Sequence, residues 1–242
     1  MSLAAPELPK PGEEVEQTCL PEHCFHCFDT LFCALTSKKP VPPKFPEGKY
    51  PLFVTWSTVR PGKASRLRGC IGTFDPRPLR EGLAEYALTS AFRDHRFRKI
   101  EEWELETLEC TVSLLTDFED AASYLDWEIG VHGIHISFPH PSLIPASPSP
   151  SSAPSPLGSA PTVPTRSTLR HSFSATFLPE IAEEQGWDRL ETIDSAIHKA
   201  GWSGRISEDL RRALTVRRYQ SRVCSVGWEE YVQWRTENGG AM

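Results

Sequence analysis

Long apolar runs are missing from this chain of 242 residues. No stretch approaches the ~18–20 consecutive apolar residues that a membrane-crossing helix needs, which excludes a helical span. A basic excess is missing too: 26 Lys and Arg stand against 32 Asp and Glu, a formal net charge of −6 at pH 7. A general nucleic-acid binder shows the opposite balance, so nucleic acid is not the expected partner, although a local basic groove stays compatible with it. The stretch Met1 to Glu16 carries Pro and Glu but no apolar signal-peptide core, so no secretory leader is expected. Seven cysteines, an odd number, then point to reduced thiols in the cytoplasm or nucleus. No fixed-period repeat, Walker loop, dinucleotide-binding glycine motif, Gly-x-Ser-x-Gly elbow or zinc-protease helix occurs, and no cofactor is expected.

Proline is plentiful by contrast, at 22 residues, about twice the ~5% norm. It concentrates between Pro139 and Ser167, where no acidic residue and a single basic one, Arg166, occur. Such a segment has too little apolar surface to offset its ordering entropy and is expected to be a disordered insertion, 139–167, inside one domain. Its Ser147-Pro148 and Ser149-Pro150 steps could accept phosphate, but a tolerated surface loop explains them as well. Residues 1–18 and 237–242 read as tails around a domain over 19–236.

Periodicity supplies the elements. Cys24, Cys27, Phe28, Leu31 and Leu35 give one apolar helical face between Pro21 and Ser37, ended by Pro40, Pro42 and Pro43. Leu52 to Thr58 and Arg66 to Phe74 read as strands. Pro78 to Arg93 reads as a helix with Leu79, Leu83, Tyr86, Ala87 and Ser90 on one face. Thr107 to Asp117 and Val131 to Phe138 alternate as strands. Leu178-Pro179-Glu180 opens a helix. Asp188 to Ala200 is another, with Gly201 at its C′ position. A short helix around Ser207 to Leu214 precedes a strand from Thr215 to Val226. The mixture lacks a βαβ alternation and predicts an α+β fold with a largely antiparallel sheet.

The most unusual segment is Arg66-Leu67-Arg68-Gly69-Cys70-Ile71-Gly72-Thr73-Phe74. Period-two alternation predicts Arg66, Arg68 and Cys70 on one face, where a guanidinium would favour the thiolate of Cys70. Gly69 and Gly72 would allow a bulge or the close approach of a ligand, and amides there, with Thr73 beside them, would suit an anion. The plainer reading is a buried cysteine packed as a small hydrophobe. A second cluster, Arg93-Asp94-His95-Arg96-Phe97-Arg98, offers an anion pocket through Asp94 and Arg96, or a structural ion pair fixing the loop. Cys19…His23-Cys24-x-His26-Cys27 supplies only half of a tetrahedral zinc site, and Cys24 and Cys27 share a face with Phe28, which favours core packing. His132 and His135 fall on opposite sides of a strand, so no metal site is expected. Arg211, Arg212, Arg217, Arg218 and Arg222 lack a recognisable nucleic-acid reader and read as a solvated surface.

The run Leu67-Arg68-Gly69-Cys70-Ile71-Gly72-Thr73 resembles the signature of the AMMECR family, named for the Alport syndrome, mental retardation, midface hypoplasia and elliptocytosis chromosomal region. The resemblance extends through Cys27-Phe28-Asp29, Pro51-Leu52-Phe53-Val54-Thr55-Trp56 and Leu88-Thr89-Ser90-Ala91-Phe92 with Asp94, Arg96 and Phe97. It continues through Tyr124-Leu125-Asp126-Trp127-Glu128, Gly130-Val131-His132-Gly133-Ile134 and Thr176-Phe177-Leu178-Pro179-Glu180, from about Cys19 to Trp234, and is to a eukaryotic member. It implies a twisted antiparallel sheet flanked by helices, in two unequal subdomains with a cleft. Relatives have only a short connection in place of 139–167. It also implies a nuclear or cytoplasmic protein of unresolved molecular role, with Memo-type and radical-SAM-type association in prokaryotes, and it supplies no substrate.

Two functional readings follow. In one, Cys70 is a catalytic or ligand-accepting thiol, Arg68 its activator, Gly69, Gly72, Thr73, Asp94 and Arg96 the anion-binding surround, and His132 a distant acid–base group. In the other, the same groove is non-catalytic and docks a protein partner's acidic segment on its arginines.

Overall fold

A computed structural model of the chain describes residues 18–140 and 172–242. The expected N-terminal tail, except for Thr18, and the expected insertion, except for Pro139 and His140, lie outside the described residues.

The helices are α1 (Pro21–Thr36), α2 (Leu79–Phe92), α3 (Pro179–Gln185), α4 (Arg189–Lys199), α5 (Glu208–Arg212) and α6 (Trp228–Glu237). The strands are β1 (Lys49–Thr58), β2 (Arg66–Pro78), β3 (Leu108–Asp120), β4 (Gly133–Pro139), β5 (Ser172–Phe177) and β6 (Thr215–Gly227), with a 3-10 helix over Glu102–Thr107. The strands form one six-stranded sheet in the order β2-β1-β3-β6-β4-β5. Pairs β1–β2, β1–β3, β4–β5 and β4–β6 are antiparallel. The α+β class expected from the pattern is the class observed.

The chain divides into two compact units, 1–115 with 222–242 and 116–221, whose boundaries fall within β3 and β6. In the first, alternate residues Leu52, Val54 and Trp56 of β1 and Leu108, Cys110, Val112 and Leu114 of β3 are buried on one sheet face. They belong to one core with α1, α2 and α6 residues. Phe28 of α1 stacks on Tyr231 of α6 at 5.1 Å and meets Trp56 edge-on at 5.0 Å. The Trp56 indole N–H, which would be costly to bury unpaired, donates to the Ala87 carbonyl of α2 at 3.0 Å. The polar centre of this unit is Asp29: it accepts from Val41 N–H (2.8 Å), from the Tyr231 hydroxyl (3.1 Å) and from the Arg235 guanidinium.

The second unit has its own core of Ile134, Ile136 and Phe138 from β4, Phe173 from β5, and Ile193, Ala196 and Ile197 from α4. A reciprocal cap starts α4: Asp188 accepts from Glu191 N–H at 2.8 Å and Glu191 accepts from Asp188 N–H at 2.9 Å. Gly201, at φ 100°, follows the last residues of α4.

Candidate functional site

Strand β2 is an edge of the sheet, so its outward backbone groups have no strand to pair with. At Cys70 two side chains take that role. The N–H of Cys70 donates to Asp94 Oδ2 at 3.0 Å, and its carbonyl accepts from Arg96 Nη2 at 3.1 Å. Asp94 and Arg96 are locked to each other at 2.9 and 2.7 Å, with the Asp94 side chain 3% exposed and that of Arg96 57% exposed. The Arg96 guanidinium, helped by Cys70 N–H against the opposing effect of burial, holds the Asp94 carboxyl at about 2. Of the two readings of this cluster, the arrangement seen is the ion pair, which ties the loop to the Cys70 backbone.

The glycine of the signature does its work at a close approach. A β-carbon on residue 69 would collide with the Ser90 carbonyl of α2, so the backbone that comes near Gly69 is the chain's own helix. Opposite Gly69, Trp56 pairs in register, but Ser57 pairs with Leu67, which leaves Arg68 as the extra residue of a β-bulge. This bulge corrects the expected alternation. Cys70 pairs with Thr55 and Leu67 with Ser57, so those two share a face, while Arg66, opposite Thr58, belongs to the other.

Arg68 is not poised over the thiol as an activator, because its guanidinium is committed elsewhere. It donates to Glu104 at 2.8 and 2.9 Å and to the carbonyls of Arg98 and Lys99 at 2.6 and 3.0 Å. Burial would raise the Glu104 carboxyl, but these bonds outweigh it and hold it below its ordinary value. Thr73 pairs with Leu52 and so falls on the face opposite Cys70. Its hydroxyl accepts from Asp75 N–H at 3.0 Å. Gly72 lies across from Phe53, whose ring covers the space a β-carbon would need.

What surrounds the sulfur instead is a transverse row of hydroxyls. Thr55 of β1 lies between Cys70 of β2 and Thr111 of β3, on the face opposite the core. The Thr55 hydroxyl donates to Cys70 Sγ at 3.1 Å, and Thr111 Oγ1 lies 2.8 Å from Ser225 Oγ of β6. Cys70 is partly exposed, whereas Cys19, Cys24, Cys27 and Cys110 are buried. Sequence reasoning missed Thr55, Thr111 and Ser225. Polar residues at alternate positions of β1 and β3 were the available signal.

His132 belongs to the second unit and Cys70 to the first. The His132 Nδ1 accepts from Glu128 N–H at 3.1 Å, beside a cavity of about 520 Å³ with Asp126, Arg189 and Arg218 in its wall. Cys24 and Cys27 lie in the core with Phe28 and Leu31. Among the described residues no group of three or more His, Cys, Asp or Glu side chains could hold a metal ion. Arg211, Arg212, Arg217 and Arg218 form ion pairs with Asp194, Glu208, Asp120 and Glu119, which neutralises most of the arginine-rich C-terminal segment. No helix among the described residues is long and apolar enough to cross a membrane.

Comparison with known proteins follows the same residues. The AMMECR1 family model matches residues 24–224. An uncharacterized protein of Arabidopsis thaliana is 44% identical over 221 residues, covering 91% of each chain. An uncharacterized protein of Schizosaccharomyces pombe is 37% identical, covering 87% of this chain and 94% of its own. The crystal structure of an uncharacterized protein from Pyrococcus horikoshii shares the fold at a TM-score of 0.59 and 24% identity, over 84% of this chain and 89% of that one. With a family match that spans the signature, both units and most of the chain, this protein belongs to the AMMECR1 family.

Proposed function

We propose that the chain is a ligand-binding domain whose site is the Cys70 end of the hydroxyl row, with the thiol as its nucleophilic group. The observation that carries this reading is the hydrogen bond from Thr55 to the Cys70 sulfur at 3.1 Å on a partly exposed sheet face. A hydrogen bond donated to sulfur favours thiolate over thiol. Asp94 and Arg96 are positioning residues here: they fix the backbone that carries the sulfur. The reading needs a free thiol and so places the protein in a reducing compartment, cytoplasm or nucleus.

Peptide-resolved alkylation with iodoacetamide across pH 5–9 tests it, the sulfur forming a bond to carbon as iodide leaves. Cys33 is an internal reference, because burial and the nearby Asp29 carboxylate push its thiol up. Cys70 should label in the folded protein, faster than Cys33 at every pH below 8, and Thr55→Val should slow it. Labelling of Cys70 only on unfolding, or no faster than Cys33, overturns the assignment.

A further inference from the structure

Next to the Asp94–Arg96 clamp, the segment from Arg96 to Glu104 folds around a cavity of about 360 Å³. Arg68 braces it through the Arg98 and Lys99 carbonyls, and Ile100, 1% exposed, anchors it through its N–H to the Ala91 carbonyl at 3.0 Å. With the backbone held from inside, the Arg98 and Lys99 side chains are left exposed at the cavity wall. Neither makes an ion pair or side-chain hydrogen bond among the described residues. The two carboxylates of the wall are already engaged: Glu104 by Arg68 and by Glu101 N–H, and Glu101 by the Trp103 indole N–H at 2.5 Å.

Trp103 is the most exposed large apolar side chain described, at 71%. Its bond to Glu101 fixes the ring at the cavity rim, where it presents a flat face with its edge already satisfied. A fixed indole face beside two unpaired cations suits a ligand that carries a planar ring and at least two negative charges. The volume falls at the lower end of small-ligand pockets, which run ~300–1,000 Å³. We infer that this cavity binds a nucleoside phosphate, with the base stacked on Trp103 and the phosphates on Arg98 and Lys99. The inference goes beyond the thiol site and uses none of its hydroxyl row.

Isothermal titration calorimetry of the full chain with ADP, adenosine and inorganic phosphate as probes tests it. ADP should bind saturably and more tightly than either fragment. Trp103→Ala should weaken ADP about ten-fold or more through lost stacking, and Arg98→Ala with Lys99→Ala should weaken ADP while leaving adenosine unchanged. These side chains are exposed, so circular dichroism of each variant should match the parent. Cys70→Ser should leave ADP affinity intact, which separates this inference from the thiol reading: the alkylation result and the ADP result can each fail alone. No heat of binding with ADP, affinity equal for ADP and inorganic phosphate, or affinity unmoved by Trp103→Ala overturns the proposal.

Discussion

Asp94 accepts the backbone N–H of Cys70 at 3.0 Å, so a side chain that follows α2 completes the hydrogen bonding of an edge strand 24 residues earlier. Arg96 completes the other half at the Cys70 carbonyl. Together they reproduce, with a carboxylate and a guanidinium, what the peptide group of a neighbouring strand would offer.

That clamp sets a pH dependence. The Asp94 carboxyl titrates at about 2 in the fold against an ordinary 3.8, so its contribution is present in full above about pH 4 and is lost as pH falls toward 2. The shift corresponds to roughly 2 kcal/mol at neutral pH. Asp94→Asn should lower stability by about that amount at pH 7 and flatten the loss between pH 4 and 2. Calorimetric melting across that range checks both.

His23 gives a second window. Burial lowers its ring to about 4 from an ordinary 6.5, and its Nδ1 accepts from Leu20 N–H at 3.1 Å, which requires that nitrogen unprotonated. The unfolded chain therefore binds a proton that the fold resists between these values, and stability should fall as pH drops from about 6.5 toward 4. His26, also lowered by burial, acts in the same direction. His23→Gln should reduce the slope of melting temperature against pH in this window.

Gly69→Ala should cost about 1–3 kcal/mol or more, because the colliding atom is a helix carbonyl that cannot swing aside. Gly62→Ala is the control. Gly62 has φ 70° but open space around it, so only backbone strain of about 1–2 kcal/mol is expected. Urea denaturation of the two variants should rank them in that order.

The ion pair of Asp29 and Arg235, with side chains 2% and 1% exposed, should behave as a unit. Asp29→Ala leaves a buried guanidinium uncompensated and should cost about 3–5 kcal/mol. Tyr231→Phe removes one hydrogen bond and should cost about 1 kcal/mol. Adding Arg235→Met to Asp29→Ala should recover part of the loss, a non-additivity that a double-mutant cycle in urea would measure.

The elements that alternated or cycled cleanly were legible. The face Cys24, Cys27, Phe28 and Leu31 is the buried face of α1, and Leu108, Cys110, Val112 and Leu114 are the buried side of β3. Helix α6 was not legible, because its inward positions are held by Tyr231 and a charged Arg235 rather than by an apolar stripe. Strand β5 was missed because Ser172-Phe-Ser-Ala-Thr-Phe177 buries a single large residue, Phe173. At the site, the Arg-Gly-Cys segment stood out but its geometry did not. Alternation is a local rule, whereas the bulge at Arg68 arises from how β1 pairs, and Glu104, which draws Arg68 aside, lies 36 residues away.

The side-chain cover on β2 also bears on how the molecule behaves in a crowd. A free sheet edge is a template on which another chain can extend the ladder. At Cys70 that template is covered by the Asp94–Arg96 pair, which an incoming strand would have to displace from both the N–H and the carbonyl. Removing the clamp would thus expose a sticky register next to a thiol, and an Asp94 lesion at high protein concentration should show itself as polymerisation along β2.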